Sequence, residues 1–280
     1  MFQGSLFFRS LSQVLRRQRL IWWIFAVSFL LAWLGTLPVR TAFGAMLDQS
    51  RASAELVGRF DVATLGDLLS SPEIPFNTMV TASLAPTLIF LLFMVFILGG
   101  VLMEYREDRR LLAPDFFQQS GRFFWRFLRL TAVSLIPFLL LGVGMAGLKA
   151  WTGRLDESPN ERLSDYTLLG GLVVLGLLAL WTRTWFDLAQ ARVVIRNERG
   201  MFRHALRTFR LTSWRLYLTY LAIALVRLGL LVAVIRLWLR VPHASVGLSF
   251  WTLELAILAQ VATRLWQRAA SLEWAEAERR

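Results

Sequence analysis

Long apolar stretches alternate with arginine-rich segments along this chain. Three of these stretches carry no charged side chain: Leu20–Pro38, Ile74–Met103 and Leu130–Leu148. A helix needs roughly 20 apolar residues to cross the hydrocarbon core of a bilayer, and each stretch is about that long or longer. The pattern therefore predicts transmembrane helices.

Three further stretches follow: Tyr166–Thr182, Leu216–Leu239 and Val241–Thr263. The six together predict an all-α polytopic membrane protein whose transmembrane helices pair as three hairpins. We expect one integral membrane domain, 1–280, because no remaining segment is long enough for a separate soluble domain. The predicted spans are 20–38, 79–103, 130–149, 167–186, 216–239 and 246–264, with an outer loop at 39–78.

The composition agrees with this class. Hydrophobic residues make up 56% of the 280 residues, above the roughly 45–50% apolar content of soluble domains. The net charge of +12 would suit nucleic acid, but the basic residues cluster beside alternate apolar stretches, so we expect no nucleic-acid partner. The absence of cysteine excludes disulfides and thiolate metal sites.

The distribution of arginine predicts how the spans are oriented. Arginines concentrate in the N-terminal segment, in the connections 106–129 and 192–215, and in the C-terminal tail. The connections 40–73 and 149–165 instead hold more acids than bases. Since arginine-rich loops stay in the cytoplasm, we predict that both termini face the cytoplasm of a bacterial inner membrane.

A basic amphipathic segment precedes each predicted hairpin. Its arginines recur at steps of four and three, which places them on one helical face, opposite apolar side chains. We predict interfacial helices that lie along the membrane with their arginines toward anionic lipid headgroups; the alternative is that these segments are cytoplasmic extensions of the spans. The first copy contains Arg9, Gln13 and Arg16 beside Phe7, Phe8, Leu11, Val14 and Leu15. The other two copies contain Arg122, Arg126, Arg129, Arg203, Arg207 and Arg210.

The outer loop contains two short amphipathic segments, 42–57 and 61–69, which predict two helices. Asp61 is suited to be the N-cap of the second. Because short helices need packing to persist, we expect them to rest on the transmembrane helices; a lid or a partner surface is the alternative.

Few motifs in the chain point to catalysis or to a cofactor. Gly142–Gly147 has the letters of a dinucleotide-binding fingerprint, which acts at a strand-to-helix turn. Here it lies inside a predicted span, so it predicts close helix packing, as Gly99–Gly100 does. His204 and His243, the two histidines, are predicted on opposite sides of the membrane and cannot share a metal or a haem. We expect no enzymatic activity, no cofactor and no metal.

Charged residues inside the spans are the main candidates for a functional site. A charge at bilayer depth costs about 2.5–3.5 kcal/mol on insertion scales, so it usually has a partner or faces protein or water. At about 1.5 Å per residue along a helix, the depth of Glu254 in the sixth span lies between the depths of Arg236 and Arg227 in the fifth. Because an arginine side chain can extend along the helix axis, Glu254 can reach either one. These three predict either a polar site for an anion or coupling ion, or a structural Arg–Glu clasp. Arg183 and Asp187, four residues apart in the fourth span, predict a local pair.

The segment Asp187–Val194 and the basic stretch Ala205–Arg210 after it resemble a group of uncharacterised bacterial membrane proteins. Gly99–Gly100 and Phe116–Leu130 are similar to that group as well. The group is itself distantly similar to the membrane region attached to some bacterial glycerophosphodiester phosphodiesterases. The resemblance implies a six-helix integral membrane protein, and it supplies no catalytic residues because this sequence lacks the phosphodiesterase domain.

Three hypotheses for function follow. The favoured one is a non-enzymatic membrane component, an accessory subunit or a membrane-organising protein, that contacts anionic lipids and protein partners. The second is a small-solute or lipid transporter that uses Arg227, Arg236 and Glu254. The third is a protein that binds or modifies lipids with its cytoplasmic arginines.

Overall fold

The computed structural model describes residues 3–47, 76–155, 161–196, 214–240 and 246–279. Within these ranges the chain forms seven α-helices and no strand, so the predicted all-α class is confirmed. The helices are α1 (Gln3–Arg16), α2 (Gln18–Leu47), α3 (Phe76–Arg106), α4 (Ala113–Leu155), α5 (Glu161–Arg196), α6 (Trp214–Trp238) and α7 (Val246–Ala277).

Five of these helices, α2 to α6, are long and apolar enough to cross a bilayer. By length and composition the chain is therefore a polytopic membrane protein. Helix α7 is not among the five; it contains Glu254, Gln260 and Arg264 within its apolar sequence. The sixth span and the pairing into three hairpins are not confirmed.

The first basic segment forms a helix of its own. Helix α1 ends at Arg16, and a turn at Arg17 follows, in which the backbone N–H of Leu20 donates to the Arg17 carbonyl oxygen at 3.0 Å. Helix α2 then continues to Leu47, past the start of the predicted outer loop at 39–78, whose bounds stay a prediction. Residues 42–47 of the first predicted loop helix form the end of α2. The rest of that helix and the second one, 61–69, lie outside the described residues.

The second basic segment is not a separate helix. Helix α3 ends at Arg106, and Asp108 just beyond it has a positive φ of 47°, a conformation that aspartate tolerates better than most residues. Helix α4 then runs unbroken through 43 residues, and Gly121 does not interrupt it. The prediction of an interfacial helix distinct from the third span is therefore wrong here. The arginines that belong to α4 are Arg122, Arg126 and Arg129. The third copy, with Arg203, Arg207 and Arg210, lies outside the described residues.

The chain divides into two compact units. Unit 1 consists of the described parts of Met1–Arg16, Val95–Ala224 and Leu265–Arg280, and unit 2 of the described parts of Arg17–Met94 and Leu225–Arg264. Helices α3, α6 and α7 therefore contribute one part to each unit. A single domain over 1–280 stays a prediction.

Unit 1 has a close-packed core where the ends of several helices meet. Its fully buried side chains come from five helices, α3 to α7: Leu98, Leu102, Tyr105, Phe123, Phe127, Leu188, Leu216, Tyr220, Ile223, Leu265 and Leu272. These are the helix ends that the arginine distribution assigns to one side of the membrane. The core thus gathers the helix ends that a chain of alternating direction would place on one side of the membrane. The compartment that this side faces stays a prediction.

Close helix packing at a glycine is confirmed between α3 and α4. A Cβ atom added to Gly100 would lie 2.7 Å from the ring of Phe116 and from Oγ of Ser120, and Ser120 accepts a hydrogen bond from the Gly100 backbone N–H at 3.2 Å. The fingerprint-like segment of α4 is helical throughout. There, Gly144 approaches Leu175 of α5, whereas the other two glycines of the motif have no such neighbour within 4 Å.

Unit 2 brings α2 together with parts of α3 and α7. A Cβ atom added to Gly35 would lie 3.2 Å from the ring of Pro86 in α3. The rings of Phe29 in α2 and Phe250 in α7 have centroids 6.1 Å apart. Small and aromatic residues therefore contribute contacts within this unit.

Candidate functional site

A cluster of buried polar side chains lies in the core of unit 1. Asp187 of α5 and Tyr220 of α6 are both buried, and the Tyr220 hydroxyl donates a hydrogen bond to Oδ2 of Asp187 at 3.1 Å. Ser271 of α7 lies near the same hydroxyl, and its own Oγ donates to the carbonyl oxygen of Arg268 at 2.8 Å. Polar groups thus join three helices away from solvent. With Arg183 and Arg268, these residues are called the polar cluster below.

Two arginines supply the positive charge of the polar cluster. Arg268 of α7 is 7% exposed, and both Arg183 and Arg268 act electrostatically on Asp187. Burial lowers the pKa of the Arg268 guanidinium, and the nearby carboxyl of Asp187 opposes that shift. Nε and Nη1 of Arg268 are buried and form no hydrogen bond within the described residues. Electrostatic attraction to Asp187 is therefore the main compensation for the desolvated charge of Arg268.

The predicted pair of Arg183 and Asp187 is part of this cluster, but its main partners come from other helices. Sequence reasoning missed Tyr220, Arg268 and Ser271. Arg268 in particular has the pattern of a charge in the predicted cytoplasmic tail. Every residue of the stretch 265–272 is buried, so this part of α7 is a core helix. Ala269, Ala270 and Ser271 directly after Arg268 were the available signal, since small residues let helices approach closely.

The chemistry of the polar cluster is that of a charge-compensated joint between helices. A carboxyl, a phenol and two guanidinium groups can hold helices in register, because each desolvated charge is costly without its partner. Among the described residues, no three His, Cys, Asp or Glu side chains come together in a way that could hold a metal ion. The absence of catalysis, cofactor and metal stays a prediction.

The charged residues predicted for the last two spans lie in unit 2, where the contact differs from the predicted one. Nη2 of Arg227 donates to Oε1 of Gln260 at 2.5 Å. Both residues lie about 20 Å from the connection between α6 and α7, at 1.5 Å per residue, so they face each other at equal depth. In the described residues Glu254 forms no ion pair with Arg227 or Arg236, and Oε2 of Glu254 is buried without a hydrogen bond. The predicted Arg–Glu clasp is therefore not seen among the described residues, where Arg227 contacts a neutral amide that sequence reasoning overlooked.

The arginines of α4 line the edge of the core of unit 1. The guanidinium carbons of Arg122 and Arg126 lie 5.6 and 5.9 Å from the ring centre of the buried Phe123, within the range of a cation–π contact. Arg122 and Arg129 are exposed. Contact of these side chains with anionic lipid stays a prediction, as it does for Arg203, Arg207 and Arg210, which lie outside the described residues.

Comparison with known protein families, with curated proteins and with solved structures finds no match to this chain. The resemblance to bacterial six-span membrane proteins therefore stays an expectation.

Proposed function

We propose that this protein is a non-enzymatic, polytopic component of the bacterial inner membrane that acts as an accessory subunit or organises other membrane components. In this proposal α7 supplies a sixth span, and both termini face the cytoplasm. The arginine distribution supports this orientation, because arginine-rich connections are retained on the cytoplasmic side.

One observation carries the proposal: the α4–α5 hairpin has little cover from the rest of the chain. Only 6% of the residues in the most apolar part of α4, and 6% of those in α5, are buried. Leu139, for example, is 68% exposed. A soluble surface rarely shows apolar patches of this extent, so lipid or another membrane protein must cover the hairpin. A hairpin with this much free surface suits a subunit of a larger assembly.

Site-specific photo-crosslinking in the native membrane tests the subunit role. A photoreactive amino acid at position 139 should yield a discrete adduct between the chain and a protein partner. The matched control is position 127, where Phe127 is fully buried in the core of unit 1, and no intermolecular adduct is expected there. Crosslinks from position 139 to lipid alone, together with a monodisperse monomer in mild detergent, would contradict the subunit role.

A transporter is the second candidate, and the Arg227–Gln260 contact is the observation that favours it. An ionisable residue within a span often marks a substrate or ion pathway. Yet α3 and α4 continue as helices through Pro86 and Pro137, whereas transporters commonly bind substrate at broken helices. Loss of solute flux in liposomes on Arg227→Gln or Glu254→Gln, with folding intact, would favour transport. Loss of thermal stability alone would assign these residues a structural role.

A further inference from the structure

Helix α1 is docked onto α7 through one of its faces. The ring of Trp266 packs against that of Phe7 with centroids 4.4 Å apart. Nε1 of Trp266 donates to the Phe7 carbonyl oxygen at 3.2 Å and to Oγ of Ser10 at 3.0 Å. Ser10 and Val14, four residues apart, are both buried. This face of α1 is therefore fixed against unit 1.

A second face of α1 points away from this contact and is apolar. Phe8 is 66% exposed and Leu15 is 53% exposed, and their spacing of seven residues places them on the same side of the helix. Arg9 and Arg16 are exposed beside this stripe. The sequence pattern assigned all the apolar residues of α1 to one face, whereas the structure divides them between a docked face and an open one.

The position of α1 along the chain places the open face at the level of the membrane surface. Trp266, the residue that holds α1, comes just after the predicted sixth span at 246–264, and tryptophan prefers the interface between lipid and water. The apolar stretch of α2 begins at Gln18, immediately beyond the turn that ends α1. Exposed Trp22 and Trp23 at the start of α2 are a second set of interface residues. The tryptophan that holds α1 and the apolar stretch that follows it along the chain therefore place α1 where a span meets headgroups.

We infer that the open face of α1, formed by Phe8 and Leu15 and flanked by Arg9 and Arg16, binds the surface of an anionic phospholipid bilayer. The apolar side chains enter the boundary between headgroups and acyl chains, and the arginines meet the lipid phosphates, as in other interfacial helices. Helix α1 thus bridges the membrane surface and the core of unit 1. This inference rests on the proposed function, since it requires that the spans lie in a bilayer.

Spin labelling of the full chain tests this inference, and the absence of native cysteine makes single labels specific. Nitroxides are attached to Phe8→Cys and Leu15→Cys variants reconstituted in vesicles of phosphatidylglycerol and phosphatidylcholine. The measured quantity is the ratio of collisions with oxygen, which dissolves in lipid, to collisions with a water-soluble nickel chelate. Arg110→Cys, at an exposed charged position in the connection between α3 and α4, is the control for a site in water. Leu139→Cys reports on the transmembrane hairpin.

We expect the oxygen-to-nickel ratio to be severalfold higher at positions 8 and 15 than at position 110, and to fall at 8 and 15 in vesicles of phosphatidylcholine alone. Free access of the nickel chelate at 8 and 15, with position 139 still in lipid, would overturn the inference but leave the proposed function intact. Protection from both reagents at 8 and 15 would point to a protein partner and would also overturn it. Access of the chelate at all four positions would contradict the proposed function itself.

Discussion

Replacing Asp187 with asparagine tests the polar cluster most sharply. Asparagine keeps the volume of the side chain and an oxygen that can accept the Tyr220 hydrogen bond. It removes the negative charge that compensates Arg268, which is buried and whose Nε and Nη1 form no hydrogen bond within the described residues. Any loss of stability therefore reports on the lost charge of Asp187 instead of on packing.

The expected magnitude follows from the environment of the two charges. Removal of one partner from a buried pair costs about 3–5 kcal/mol, because the other charge remains desolvated. The hydrogen bond from Tyr220 weakens as well, from about 1.5–3 kcal/mol for a charged acceptor to about 0.5–1.5 kcal/mol for a neutral one. Since these contributions overlap, we expect Asp187→Asn to lower the free energy of unfolding by about 3–5 kcal/mol.

Unfolding in mixed micelles of mild detergent and SDS, followed by tryptophan fluorescence, measures this loss. Asp165→Asn, an exposed aspartate on the same helix, is the control and should change stability by no more than about 0.5 kcal/mol. Adding Arg268→Gln to Asp187→Asn should recover part of the loss, with a coupling of about 0.5–3 kcal/mol. Equal effects of the two asparagine substitutions, or strict additivity in the double variant, would refute the reasoning.

Three more predictions test other contacts of unit 1. Gly100→Ala should lower the free energy of unfolding by about 1–3 kcal/mol, because the added Cβ would crowd α4. At Gly121 an added Cβ would have no neighbour within 4 Å, so Gly121→Ala should not destabilise the protein. Equal losses of stability in the two variants would contradict this prediction. Burial raises the pKa of Glu273 from 4.5 to about 7, against the opposing charge of Arg9, so the folded state binds more protons than the unfolded state between these values. Stability should therefore fall as pH rises through that window, and Glu273→Gln should flatten the profile; an unchanged profile would show that this group does not titrate there. Trp266→Phe should remove the Nε1 hydrogen bonds to α1 at a cost of about 0.5–1.5 kcal/mol and speed hydrogen exchange in α1 selectively, and uniform exchange across the chain would argue against local docking.

The transmembrane helices were predictable because uncharged apolar runs dominate every other signal. The predicted span at 20–38, for instance, lies within α2 at Gln18–Leu47. Helix ends were less predictable, since neither an apolar run nor a charge count marks where a helix stops in the aqueous layer. Helix α2 therefore extends beyond the predicted end of its span, and α4 includes a basic segment that was assigned to a separate helix.

The candidate site was predictable in part. Asp187 and Arg183 stood out as charges at the end of a span, but their partners on α6 and α7 could not be inferred from one sequence. Arg268 reads as a topogenic charge, and its burial depends on how α7 packs against three other helices. The partner of Arg227 was not predicted for a different reason, because an arginine in a span suggests a carboxylate partner and Gln260 is neutral.

Cysteine accessibility at four exposed positions tests the central claim that the chain crosses the membrane repeatedly with both termini in the cytoplasm. Single cysteines at Arg110, Arg154, Arg240 and Arg279, all exposed, are treated in spheroplasts with a membrane-impermeant maleimide. We predict labelling at 154 and 240 in intact spheroplasts, and labelling at 110 and 279 only after permeabilisation. Identical behaviour at 240 and 279 would show that α7 does not cross, and identical behaviour at 110 and 154 would contradict the membrane-spanning account as a whole.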